Sequence, residues 1–221
     1  MYLNPDVGAK VAAAIKAAEA GTDGEISTIV AASSDSYNDV VLHWALLFAL
    51  LPLAVSAAWP QLIEWGASLI SPWETPSLRL ILTLLLVKTI AVFLIARYVI
   101  GIGAIRIALT PAATKVRRVR RRAIMLFRAG TEQRTLSTTG VLLYLSLAEH
   151  RAEIVADAAI HAKAPQEEWG EAMAALVAAM RDGRPGDGMA AAIERIGAVL
   201  TMHFPRTGTD PNELPDRLVE L

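Results

Sequence analysis

Asp35, Asp39 and Glu149 are the side chains of this sequence best placed to do chemistry. Hard cations take several oxygen ligands, largely from loops. The segment 33–39 (SSDSYND) supplies two acids and adds Ser33, Ser34 and Asn38 as neutral oxygens. A metal site built from Asp35, Asp39 and Glu149 is the reading these residues carry, if the fold brings the two stretches together. Glu153 and Asp157 are read on the second strand of a hairpin, with Asp157 pointing to the membrane-distal edge, where a carboxylate can cap backbone amides. Tyr37 is expected either to anchor at a membrane interface or to enter a groove of the domain. Other chemistries lack their parts. The absence of cysteine excludes disulfides, thiolate metal sites, iron–sulfur clusters and cysteine nucleophiles. No GxSxG, HExxH or glycine-rich phosphate loop ahead of a helix occurs. The four histidines, His43, His150, His161 and His203, have no ligand spacing. Catalytic residues are therefore unassigned, and no organic cofactor is implied.

Most of the hydrophobicity is not spent on positioning these acids. The apolar residues make up 54% of the 221, only 19% are charged, and mean hydropathy is +0.41. Soluble domains carry about 25% charge, so this chain is too apolar for an ordinary one. A net charge of -1 excludes a uniformly basic nucleic-acid binder. The excess lies in two blocks. Residues 40–58 carry no formal charge and meet the ~20 apolar residues a span requires. The second block, 78–109, holds a window at 80–96 interrupted by Lys88, and an alternative at 89–105 centred near Arg97. A cation inside a span costs ~2.5–3.5 kcal/mol, which singles out Lys88 and Arg97. Lys88 is expected to face water or an oligomer partner, and Arg97 to snorkel to the interface. Between the blocks, residues 59–77 contain Trp59, Trp65 and Trp73, the acids Glu64 and Glu74, and no Lys or Arg. Lys115, Arg117, Arg118, Arg120, Arg121 and Arg122 follow the second block. The positive-inside rule puts that side in the cytoplasm and the Trp-rich loop outside. The cluster serves topology and lipid headgroup contact, not nucleic acid.

The hairpin, 40–109 with its external loop 59–77, thus interrupts a cytoplasmic domain made of 1–39 and 110–221. The first residues read as a helix with Asn4 as N-cap, Pro5 at its first position, Val7, Val11, Ile15 and Ala18 on one face, and Gly21 at its end. Residues 25–31 read as a strand. After Pro111 comes a basic helix with Val116, Val119, Ala123 and Leu126 on one face. Residues 140–147 and 153–156 read as two strands joined by a turn at 148–151. Two helices follow, one carrying Trp169, Met173, Leu176 and Met180, the other Met189, Ile193, Ile196 and Leu200, with the turn GRPGDG (183–188) between them. The tail from Pro205 is expected to be extended and partly ordered. The fold class is α/β: a βαβ unit plus a hairpin strand with flanking helices. If the first two strands are parallel, their carboxyl ends share one edge, bringing 33–39 towards Glu149.

At this point the sequence resembles the TPM domain family. The stretches AAIKAAEA, GEISTIVA, GVLLYLSLAEHRAEIVADAAI and the late NELPDRL carry the likeness, most specifically over 139–160. The nearer branch is that of bacterial membrane proteins in which a hydrophobic hairpin interrupts the domain. The resemblance implies a small α/β sandwich. Some members are reported to bind calcium, one plant member was proposed to be an acid phosphatase, and most bacterial members have no assigned activity. Metal-binding relatives carry a paired-acid turn where this chain has Ala148-Glu149-His150.

The function expected is that of a membrane-tethered accessory module, multi-pass in a bacterial inner membrane, acting on the cytoplasmic face through contacts with a membrane protein or a second copy. The alternative is a metal-dependent, phosphatase-like hydrolase.

Overall fold

The structure, a computed structural model, describes residues 5–70, 72–73, 75–132, 139–164, 168–207 and 217–221. The expected N-cap Asn4 and most of NELPDRL lie outside the described residues. The chain forms two compact units, Met1–Asp35 with Ala112–Leu221, and Ser36–Pro111.

The first unit is built on a sheet of order β3-β2-β1-β4, with β1 Glu25–Ala31, β2 Gly140–Ser146, β3 Arg151–Ala156 and β4 Leu218–Glu220. The strands β1 and β2 are parallel, Glu25 opposite Gly140 and Ala31 opposite Ser146. Strand β3 returns antiparallel to β2. Helices cover both faces, and that explains why β2 reads as an unbroken apolar run rather than an alternation. Val141, Leu143 and Leu145 point into one core with Ile26 and Val30, under α1 Pro5–Glu19, α8 Glu168–Arg181 and α9 Pro185–His203. Leu142 and Tyr144 point to the other face, against Val119, Ala123 and Phe127 of α6 Ala112–Phe127. Each such buried Leu, Ile or Val side chain is worth about 1.5–3 kcal/mol. A single turn of wider helix, Arg128–Glu132, ends α6.

Four details differ from the sequence expectation. The apolar face of α6 is closed by Phe127; Val116 is exposed. The stretch 183–188 is a turn only as far as Arg184. Helix α9 begins at Pro185 and buries Gly186 and Gly188 in its first turn, because a Cβ on Gly186 would come within 2.6 Å of Val7 Cγ1. Asp157 is not within a strand: β3 ends at Ala156, and α7 Ala158–Lys163 starts directly after Asp157. The tail ends in a fourth strand, β4, parallel to β1 with Thr28 opposite Leu218.

The second unit contains α2 Asn38–Ala58, α3 Pro60–Ile70, α4 Leu78–Gly101 and α5 Gly103–Leu109. The segment expected as a loop therefore holds a helix, α3. Helix α4 contains the window 80–96 whole, whereas 89–105 is cut at Ile102. Helices α2 and α4 pack together. Both are long and apolar enough to cross a membrane. The seam on α2 is made of small or short residues, Val41, Ala45, Ala49 and Pro52, while Leu46, Leu47, Leu51 and, on α4, Leu86 and Ile95 are exposed. Trp44 Nε1 donates to Leu109 O at 3.2 Å, tying α2 to the end of α5.

Candidate functional site

Parallel pairing of β1 and β2 sets their carboxyl ends side by side, the place where α/β sheets commonly host ligands. The ladder continues past the strands: Leu147 N donates to Ala31 O and Ala148 N to Ala32 O, both at 3.0 Å. His150, at φ 49, closes the turn into β3. The loop 32–35 and this turn are thereby held together, as the parallel reading of the strands requires.

Glu149 is their common acceptor. Its Oε1 receives Ser34 N at 2.9 Å and Ser33 Oγ at 3.1 Å; its Oε2 receives the Ser146 hydroxyl. Ser34 Oγ donates to Ser146 Oγ at 2.9 Å and lies 2.9 Å from Tyr144 OH. Each hydroxyl has one proton, so one assignment satisfies all of them: Tyr144 donates to Ser34, Ser34 to Ser146 and Ser146 to Glu149. Burial pushes the Tyr144 phenol above its usual range, opposed by the Ser34 and Ser146 hydroxyls.

A serine hydrogen-bonded to a carboxylate has the parts of an activated nucleophile. Ser146, however, is 0% exposed and Glu149 6%, so both side chains are shielded from solvent. What the arrangement does is clamp the loop that leaves β1 onto the β2–β3 turn. Asp35 is held by Arg118 of α6, Nη1 to Oδ2 at 2.9 Å, and its carbonyl, 2.9 Å from Ser33 Oγ, competes with Glu149 for the one Ser33 proton. Asp39 belongs to the other unit, exposed in the first turn of α2. Among the described residues no three His, Cys, Asp or Glu side chains form a metal-holding group. Calcium takes six to eight oxygens. A carboxylate already accepting two or three hydrogen bonds, and another paired with a guanidinium, do not fit that requirement.

Asp157 lies at the opposite edge of the sheet, 6% exposed. Its Oδ2 accepts Gly140 N at 2.8 Å, and its own N–H donates to Gly140 O at 3.0 Å. It caps the start of β2. Tyr37 is fully buried with φ 51, ahead of α2, which is not the exposed position of an interfacial anchor. Lys88 and Arg97 are both exposed on α4. The cations of α6 divide by neighbour: Arg118 pairs with Asp35, Arg122 lies near Tyr144, Arg120 lines a cleft along β3, and Arg117 and Arg121 are exposed.

That cleft, of about 360 Å³, runs beside the edge strand β3 and is lined by Glu153, Arg120 and Ile124 on one side and Trp169 and Met173 on the other. Trp169 is 6% exposed, and its Nε1 is buried without a hydrogen-bond partner. Periodicity marked Trp169 only as part of an apolar stripe; its indole N–H, which usually finds a partner when buried, was the available signal. Burial holds the Glu153 carboxyl above the ordinary glutamate range, opposed by Arg120 and Arg151. The folded state therefore binds this proton more tightly than the unfolded chain. The stabilisation is complete below the unfolded pKa of ~4.3 and is lost as pH rises through the raised folded value. Glu153→Gln is expected to flatten this part of the stability–pH curve. Denaturant unfolding from about pH 4 to pH 7 checks it; parallel curves for the two proteins would contradict the assignment.

The family model of the TPM domain matches residues 103–199. Among solved structures, the NMR structure of BA42 protein from the psychrophilic bacterium Bizionia argentinensis is similar, with a TM-score of 0.59 at 16% identity, covering 100% of this chain and 97% of that one. At that identity the likeness concerns the fold alone. No curated protein matches the chain significantly. The matched segment runs from α5 through most of α9, less than half of the chain, and over it the chain is similar to a TPM domain.

Proposed function

We propose that the chain is a membrane-tethered TPM module that works by protein contact on the cytoplasmic face of a bacterial inner membrane, not by catalysis. The observation that carries the reading is the inside-out helical unit. Its small residues face inward on α2 and its large apolar residues face outward on α2 and α4, the pattern of helices packed in lipid. Trp59, Trp65 and Trp73 are exposed around α3, as aromatic anchors at one interface would be, and six Lys and Arg follow the second apolar helix in the sequence at 115–122. At the carboxyl edge the Ser146 hydroxyl and Glu149 carboxylate are already engaged with each other and buried, which favours contact over turnover. The groove along β3 offers the surface for a membrane-protein partner or a second copy, and confinement near the bilayer raises its effective concentration.

The test has two parts. In isolated membranes the chain should resist alkaline carbonate extraction, and a reporter in 71–75 should read as external. A photocrosslinker at Met173, beside the groove, should then give one discrete product that is absent when it is placed at Met202, which is 75% exposed. Release by carbonate would overturn the tether. Phosphate-ester turnover by the purified chain, lost in Asp35→Ala or Asp157→Ala, would overturn the contact reading in favour of a hydrolase.

A further inference from the structure

We propose that Arg97 and Arg106 form a binding site for the headgroup of an anionic phospholipid, an inference that rests on the membrane reading above. Both residues line one cleft of about 580 Å³ within the helical unit, together with Asn38, Val41, Leu94 and Tyr98. The backbone makes the pairing. On an unbroken helix, residues nine apart differ by about 900° at 3.6 residues per turn, which places them on opposite faces. The chain instead breaks at Ile102, extended at φ -62 and ψ 126, between the end of α4 at Gly101 and the start of α5 at Gly103. The break brings both guanidiniums to one cleft.

The cleft has no acidic lining residue, and among the described residues neither arginine forms an ion pair. Arg106 Nε is buried without a hydrogen-bond partner. A buried guanidinium N–H needs an acceptor, and a phosphate takes two such groups in bidentate fashion. Tyr98 and Asn38 add neutral donors. The apolar wall decides between a free phosphate and a lipid. Val41 and Leu94 line the cleft, and Leu94 and Ile95 continue into the exposed apolar surface of α4. A free anion leaves that wall wet, whereas an acyl chain covers it. In the sequence Arg106 is followed closely by the Lys and Arg residues of 115–122, and basic pockets on the cytoplasmic side of a membrane protein bind anionic headgroups.

The full chain, purified in detergent after equilibration with equal phosphatidylglycerol and phosphatidylcholine, should retain phosphatidylglycerol when read by native mass spectrometry. Arg97→Gln with Arg106→Gln should lower that retention about tenfold or more. Arg117→Gln with Arg121→Gln, on the exposed face of α6, should leave it unchanged. Equal retention of the two lipids, or unchanged retention in the Arg97/Arg106 double variant, would overturn the site while carbonate resistance keeps the tether. Displacement of the lipid by millimolar inorganic phosphate would identify free phosphate as the ligand and overturn the lipid assignment. Carbonate release of the wild-type chain would instead remove the membrane reading itself. The variant's own carbonate resistance and monodisperse elution verify its fold.

Discussion

Glu149→Ala is expected to destabilise the α/β unit by about 2–3 kcal/mol, because one wholly buried donor loses its acceptor at about 1–3 kcal/mol and two part-buried ones lose theirs at less. The donors are Ser34 N and the hydroxyls of Ser33 and Ser146. Ser146 is wholly buried and has no route to water. Glu149→Gln keeps the shape and one carbonyl oxygen and should recover roughly half of the loss. Denaturant unfolding of the full chain measures both. The pair also separates a clamp from a metal ligand. A clamp predicts no rise in melting temperature with millimolar calcium in the wild type; a rise that Glu149→Gln abolishes would show that the carboxylate holds a cation.

Gly197→Val is expected to cost about 3 kcal/mol, the upper end of overpacking in a dense core. Helices α1 and α9 cross at this residue. A Cβ there would stand 2.6 Å from Ala18 Cβ and 3.0 Å from Ala18 Cα. The second contact is backbone, so no rotamer change relieves it, and the helices must separate along Val11, Ile15, Ile193 and Ile196, all buried. Ala18→Gly in the same chain removes the Cβ contact and should restore part of the stability, read as a coupling in a double-mutant cycle. A loss below about 1 kcal/mol for Gly197→Val would mean that the crossing is looser than described.

Much of this was legible in the sequence where a single physical cause acts locally. Helices α2 and α4 follow from length and apolarity, and β2 from an apolar run of strand length covered on both faces. The face of α1, with Val11 and Ile15 buried between the partly buried Val7 and Ala18, follows from helical spacing. Strand β4 was not legible. Its three residues are only half-buried and owe their extended form to pairing with β1. Gly186 read as a turn residue because its need for a bare Cα comes from Val7, far away in the chain.

The same division holds for the candidate sites. Residue type marked Glu149 and Asp35 as oxygen donors, and hydropathy marked Arg97 as a cation in an apolar block. Whether those groups face a ligand or one another is a question of which hydrogen bonds they already make. Ser33 and Ser34 reach Glu149 across more than a hundred residues, and Arg118 reaches Asp35 from α6. Arg97 and Arg106 share a cleft only because the helix breaks between them. Composition and local periodicity thus marked the two long apolar helices, the strands β1 and β2 and the helices of the core, but not α3, α7 or β4. Tertiary structure alone decided which polar groups satisfy each other and which keep an unmet donor, since that depends on contacts between residues distant in the chain.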